Sequence, residues 1–172
     1  MIKIIGAVLV LFAGTMIGFQ QAAKFAARPR QLRQLAHALQ RLETEIGYGY
    51  TPLPEALARA VFTIPEPVAG VFRNTASQLC DTKGLTFQEC WEIAINEQWS
   101  MTAMKDNEKV VLLRLGSALG ISDRDDQIKH IRLALLQLKS EEDAAREDQG
   151  RYEKMSKSLG ILAAALIVIL MV

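Results

Sequence analysis

Leu32-Arg-Gln-Leu35-Ala-His-Ala-Leu39-Gln-Arg-Leu42-Glu-Thr-Glu-Ile46 repeats a large apolar residue at steps of three and four. That spacing lays one apolar stripe along an α-helix and leaves the opposite face to charge and amide. A helix over roughly Arg30 to Ile46 follows, ended by Gly47 and Gly49. The same period recurs downstream. Thr51-Pro52 supplies an N-cap and a first-turn proline for a shorter helix through Ala56, Leu57, Ala60 and Val61. Pro65 and Pro67 punctuate the chain before a third helix on Val68, Val71, Phe72, Ala76 and Leu79, ending near Cys80.

Thr86-Phe-Gln-Glu89 is a capping box, in which threonine oxygen and glutamate carboxylate satisfy backbone donors at a helix start. It opens a fourth helix carrying Phe87, Trp91 and Ile95. A bend between Trp99 and Thr102 leads to a fifth, on Met104, Val111, Leu112, Leu115 and Leu119, with Gly120 as its cap. Ser122 caps a sixth whose first turn, Asp123 to Asp126, suits the positive end of a helix dipole. Its buried side is Ile128, Ile131, Leu135 and Leu138. Beyond Leu138 the pairs Glu142/Arg146, Glu147/Arg151 and Glu153/Lys157 describe a solvated helical stalk that could run on into the terminal apolar segment, with Gly150 its weakest point. No run has strand period, so the fold class is all-α: a six-helix antiparallel bundle. Gly49 and Thr51 echo Gly84 and Thr86 some 35 positions on, as a duplicated helical unit would.

Both ends of the 172-residue chain are apolar and flanked by cations; no Asp or Glu precedes Glu43 or follows Glu153. Ile4 to Phe19 is free of charge, and apolar character continues to Ala27 with Lys24 able to snorkel. A cleaved signal peptide is the rival reading, disfavoured by the second apolar end. Leu159 to Val172 gives about 21 Å of helix against about 30 Å of hydrocarbon, so it spans only with extension to Met155 or local thinning. A half-inserted tail is the alternative. The expected domains are an N-terminal transmembrane helix, 1–27, a bundle with its stalk, 28–157, and a C-terminal transmembrane helix, 158–172. Lys24, Arg28, Arg30 and Arg33 follow the first segment, and Arg146, Arg151, Lys154 and Lys157 precede the second. Positive-inside bias therefore puts the middle in the cytoplasm and both termini outside. Gly14 and Gly18 form a GxxxG, and Gly160 with Ala164 offers matching small-residue spacing for transmembrane contact.

Little points to chemistry. A net charge of +1, with no basic domain, gives no footing for nucleic acid. Phosphate-loop, HExxH and GxSxG motifs are absent, so no catalytic residue or cofactor is assigned. Asp126 and His130 could supply two metal ligands, but no third is evident. Cys80 and Cys90 lack CxxC spacing and read as small buried thiols; Trp91 and Trp99 read as interior residues. Two polar clusters stand out as candidate partner-binding surfaces: Arg28, Arg30 and Arg33 at the membrane exit, and Asp123, Arg124 and Asp126 at a helix start. Neither is needed to fill an apolar core, so charge reversal there is expected to spare folding.

Arg28-Pro-Arg-Gln-Leu-Arg-Gln-Leu35, Glu45-Ile-Gly-Tyr-Gly49 with Thr51-Pro-Leu53, Ser122-Asp-Arg124 with Lys129-His-Ile131, and Tyr152-Glu-Lys-Met155 with Lys157-Ser-Leu-Gly160 fall in order along nearly the whole chain. This series resembles the stage III sporulation protein AB family. The resemblance implies a non-enzymatic mother-cell membrane component of the channel that links mother cell and forespore. It also implies similarity to the inner-membrane platform proteins of type II secretion and type IV pilus machines, whose cytoplasmic domains are six-helix bundles. The implied partners are a stage III sporulation protein AA-like ATPase, other membrane components of the complex and the lipid bilayer. A membrane-tethered regulatory adaptor for a soluble signalling partner is the competing reading.

Overall fold

The computed structural model describes residues 26–49, 51–81 and 84–171, with side chains as far as Met155 apart from Glu153. Six helices and no strand occur among them: α1 (residues 26–48), α2 (Leu53–Ala60), α3 (Val68–Cys80), α4 (Phe87–Trp99), α5 (Asp106–Leu119) and α6 (Arg124–Met171). Helices adjacent in sequence from α2 to α6 lie against one another. The ring closes through ion pairs between α1 and α6, where Arg33 reaches Glu142 at 3.1 Å and Arg132 reaches Glu43 at 2.7 Å. Earlier residues of α1 thus meet later residues of α6, so the two run antiparallel. The core joins the stripe Leu32, Leu35, Leu39 and Leu42 to Leu57, Phe72, Trp91, Ile95, Leu112 and Ile131.

Local chemistry accounts for the boundaries. The capping box at α4 forms as read: the Thr86 hydroxyl accepts from the Glu89 N–H at 3.3 Å, and Glu89 accepts from the Thr86 N–H at 2.8 Å. Gly84, at φ 68°, supplies the left-handed residue that turns the chain into it. Thr51 does not cap α2. Its hydroxyl donates to Glu45 instead, at 2.9 Å, and Pro52 takes the N-cap position without a side-chain bond. The shorter, uncapped α2 therefore does not repeat the α4 design. At α6 the cap is Asp123, one residue later than Ser122, with Oδ1 accepting from the Asp126 N–H at 2.9 Å.

The sixth helix, α6, is a single helix of 48 residues that runs on into the terminal apolar segment and passes through Gly150 without a break. Its length is about 72 Å. The stretch expected to be a solvated stalk begins inside the bundle, because Glu142 and Ala145 are buried. Burial raises the Glu142 pKa, but hydrogen bonds from Arg33 and Arg146 and the charges of Arg146 and Lys139 outweigh it and hold the carboxyl below its ordinary value. Among the described residues no helix is long and apolar enough to cross a membrane. Of the expected first span, 1–27, residues 1–25 lie outside the described residues, and 26 and 27 form the start of α1. The second lies where only the α6 backbone is described.

Candidate functional site

The two polar clusters occupy opposite ends of α1. Arg28 starts that helix and Arg124 touches its last turn, 19 residues away, or about 28 Å along a helix. They do not form one surface.

Arg28 is buried, with 7% exposure, and it is a structural cation. Its Nε and Nη2 donate to one oxygen of Glu108, at 2.9 and 2.5 Å, and Nη2 also donates to Glu141 at 2.8 Å. Asp148 lies 3.8 Å from Nη1. The other Glu108 oxygen accepts from the Lys105 N–H at 2.6 Å, so a fully buried carboxylate joins the start of α5 to α1 and α6. Arg33 pairs with Glu142, its side chain half exposed, and Arg30 is also exposed to solvent.

At the other end, Arg124 Nε donates to the Ile46 carbonyl at 2.6 Å and Nη2 to the Gly47 carbonyl. It satisfies acceptors that the end of α1 would otherwise leave open. Asp123 is the α6 cap, and Asp126 accepts from Lys129 at 2.8 Å. That hydrogen bond and the Lys129 charge lower the Asp126 pKa, with a smaller contribution from His130. The expectation that reversing these charges spares the fold is therefore wrong for Arg28 and Arg124. Both are tied into the bundle by groups that would be left unpaired.

Glu108 and Glu142 were missed as interior acids, although the signal was present. Each lies in phase with its helix's apolar stripe: Glu108 with Leu112, Leu115 and Leu119, Glu142 with Ile131, Leu135 and Leu138. Arg28 precedes Leu32 by four in the same way. A charge on an apolar stripe needs a buried partner.

What stays uncommitted at the end near Arg124 is apolar and acidic. Tyr48 is 87% exposed and Ile121 is 90% exposed, and they flank the Arg124 contact with α1. Asp125 is exposed beside them. Cys80 is exposed rather than buried, while Cys90 is buried as expected. Burial and the Glu89 charge push the Cys90 thiol up, away from the thiolate a nucleophile requires. Among the described residues no group of His, Cys, Asp and Glu is placed to hold a metal.

The arrangement is that of an all-helical, internally ion-paired bundle whose first and last helices lie side by side. The chain belongs to the stage III sporulation protein AB family: that family's model matches residues 3–172. Stage III sporulation protein AB of Bacillus subtilis (strain 168) is 42% identical over 171 residues, 99% of each chain. A solved structure of stage III sporulation protein AB is 40% identical with a TM-score of 0.68, covering 73% of this chain and 98% of that one. A sporulation role follows from membership, in a family described by its developmental stage and not by a reaction.

Proposed function

We propose that this chain is a non-enzymatic membrane platform of the channel between mother cell and forespore, docking a stage III sporulation protein AA-like ATPase. The bundle, 28–157, faces the mother-cell cytoplasm and both termini lie on the outer side. One observation carries the reading: the described part of α1 begins, and α6 leaves, at the same end of the bundle, the end to which the sequence attaches both apolar segments, 1–27 and 158–172. Two adjacent anchors then hold the opposite end, with Tyr48, Ile121 and Asp125, farthest from the bilayer and open to a soluble ring.

Truncating a central interface residue commonly costs more than 1 kcal/mol. Tyr48→Ala with Ile121→Ala is accordingly expected to weaken ATPase binding by roughly tenfold or more. Binding is measured on full-length protein in nanodiscs, with circular dichroism as the folding control. Unchanged affinity moves the docking surface elsewhere; a wild-type chain that does not bind the ATPase removes the platform reading.

The antiparallel register supports a specific meeting of the anchors. Arg33 faces Glu142 where α1 and α6 run antiparallel, and we propose that the two apolar segments continue that pairing, with Gly14 meeting Gly160. Small residues at such a crossing permit close backbone approach, with Gly18 and Ala164 completing the stripe. Cysteines at Ile17 and Ile161, next to this crossing, are expected to crosslink, and Gly14→Leu with Gly18→Leu to abolish the product. Crosslinking that survives those leucines excludes pairing through this stripe.

A further inference from the structure

The outward faces of α1 and α4 carry opposite charge. Every exposed charged residue described on α1 is a cation: Arg30, Arg33 and Arg41, with His37 among them. The acids of that helix, Glu43 and Glu45, are half-buried and paired with Arg132 and Arg59. Arg41 has no acid partner among the described residues and donates to the Thr63 hydroxyl at 2.8 Å. Arg33 shares its acid, because Glu142 is approached by Arg33, Lys139 and Arg146 together. On α4 every charged residue is an acid, and Glu89, Glu92 and Glu97 are all exposed. Glu89 belongs to the Thr86 cap, whereas Glu92 and Glu97 have no ion pair among the described residues.

Neighbouring charges cancel neither face. Beside α1, the edge of α6 sets Arg132, Lys139 and Arg146 against Glu142 and Asp143, and α2 sets Arg59 against Glu55. With Glu43 and Glu45 included, seven cations stand against five acids. Beside α4, α3 and its flanking turns set Arg73 against Glu66 and Asp81, and α5 sets Lys109 and Arg114 against Asp106. Six acids there stand against three cations. Lys105 is matched by Asp148 and Glu108 by Arg28, and Lys83, between α3 and α4 in the sequence, leaves the sign unchanged.

The two faces point away from each other. α4 lies between α3 and α5, while α1 is joined to α2 through Glu45 with Arg59 and to α6 through Arg33 with Glu142. Three steps around the bundle therefore separate them, and they run in opposite directions. Their heights correspond. At one end Gln31 accepts from the Ala103 N–H in the turn after α4; at the other, Arg124 donates to the Ile46 carbonyl and nearby Gly120 lies against Phe87. Arg41 is five residues in from Ile46, and Glu92 is five in from Phe87, about 7.5 Å in each case. Arg33 and Glu97 differ in height by about 4.5 Å on the same count, which an arginine side chain spans.

Copies anchored in one membrane stand the same way up, so α1 of one meets α4 of the next antiparallel and level. We propose that these faces form a contact between copies of the chain, with Arg33 toward Glu97, Arg41 toward Glu89 and Glu92, and His37 against Ile93. Two different patches make the contact heterologous, so it repeats as a row in the membrane plane or closes into a ring. Exposed ion pairs are individually weak. Tethering in the membrane raises the effective concentration, and a contact on each side of every copy adds avidity. The shared height rests on the membrane placement proposed above.

The test uses full-length protein with Cys80→Ser and Cys90→Ala in vesicles, carrying His37→Cys, Ile93→Cys or both, and a short bifunctional thiol reagent. The doubly substituted chain is expected to give a ladder of dimers, trimers and higher products. A mixture of the two singly substituted chains should give dimers, and neither alone should crosslink. Adding Arg41→Glu or Glu92→Arg to the doubly substituted chain, or raising the salt, should cut the yield several-fold. Mixing the Arg41→Glu chain with the Glu92→Arg chain should restore it, since each then meets an opposite charge; circular dichroism controls for folding. A singly substituted chain that crosslinks to itself, or a yield indifferent to salt and charge reversal, overturns the pairing. So does the absence of any crosslink, which leaves the α4 face to a different partner. A nitroxide at Leu11→Cys reports the membrane placement separately. With position 11 in lipid those failures belong to the contact alone, whereas an aqueous signal there removes the placement and the level contact with it.

Discussion

Arg28→Ala is expected to destabilise the bundle by about 3–5 kcal/mol, the cost of removing one partner from a buried ion pair. Arg28 holds Glu108 through two donors to one oxygen, and Glu108 is fully buried. Without the guanidinium that carboxylate either remains charged in the interior or takes a proton, and both are costly. Glu141 and Asp148 lose the same cation, but they are partly exposed and water can replace it. Arg28→Lys should fall between, since a compact ammonium cannot present three separate nitrogens to three carboxylates. Adding Glu108→Gln to Arg28→Ala removes the stranded charge and should recover part of the loss, giving a coupling well above experimental error. Urea unfolding of the full-length protein in detergent, followed by circular dichroism, measures each variant. A loss below about 1 kcal/mol would place the pair in the class of exposed bridges.

This expectation also bears on function. Arg28 joins the segment emerging from the first apolar stretch to α5 and α6 at once, so the proposed anchors and bundle are one mechanical unit. A chain lacking it would lose the proposed channel function through instability alone. Docking defects must therefore be sought in Tyr48, Ile121 and Asp125, whose side chains are exposed.

The helices were legible because a period of three and four residues is a local signal, and the core stripe from Leu32 to Ile46 falls in α1 as read. The Thr86 capping box was legible for the same reason: both partners lie within one turn. The partners of Arg28 were not, because Glu108 and Glu141 are 80 and 113 positions away and no local pattern links them. Arg28, Arg30 and Arg33 look alike as a basic run beside an apolar segment. Only helical phase separates the residue that turns inward from the one that faces water. Thr51 misled for a related reason: a threonine before a proline suits an N-cap, but Glu45 on the preceding helix takes its hydroxyl.

Trp91 carries the second large expectation, a loss of about 3–5 kcal/mol on replacement by alanine. The indole is buried, meets Phe72 edge-on at 5.2 Å and Phe87 stacked at 5.8 Å, and donates from Nε1 to the Leu112 carbonyl at 2.8 Å. It comes this close to α5 because position 116 is glycine. A Cβ there would lie 2.2 Å from Trp91 Cδ1, nearer than real methyl carbons come. Gly-to-Ala in a helix interior ordinarily stabilises by about 1 kcal/mol. Here the indole would have to move, straining its hydrogen bond and both ring contacts, so Gly116→Ala should destabilise by about 1–3 kcal/mol. The sign should then depend on the tryptophan. In a Trp91→Ala background the obstruction is gone, and Gly116→Ala should become neutral or stabilising. A double-mutant cycle by urea unfolding reads this reversal directly. If Gly116→Ala costs the same in both backgrounds, the close approach of α5 to the indole is not what position 116 provides.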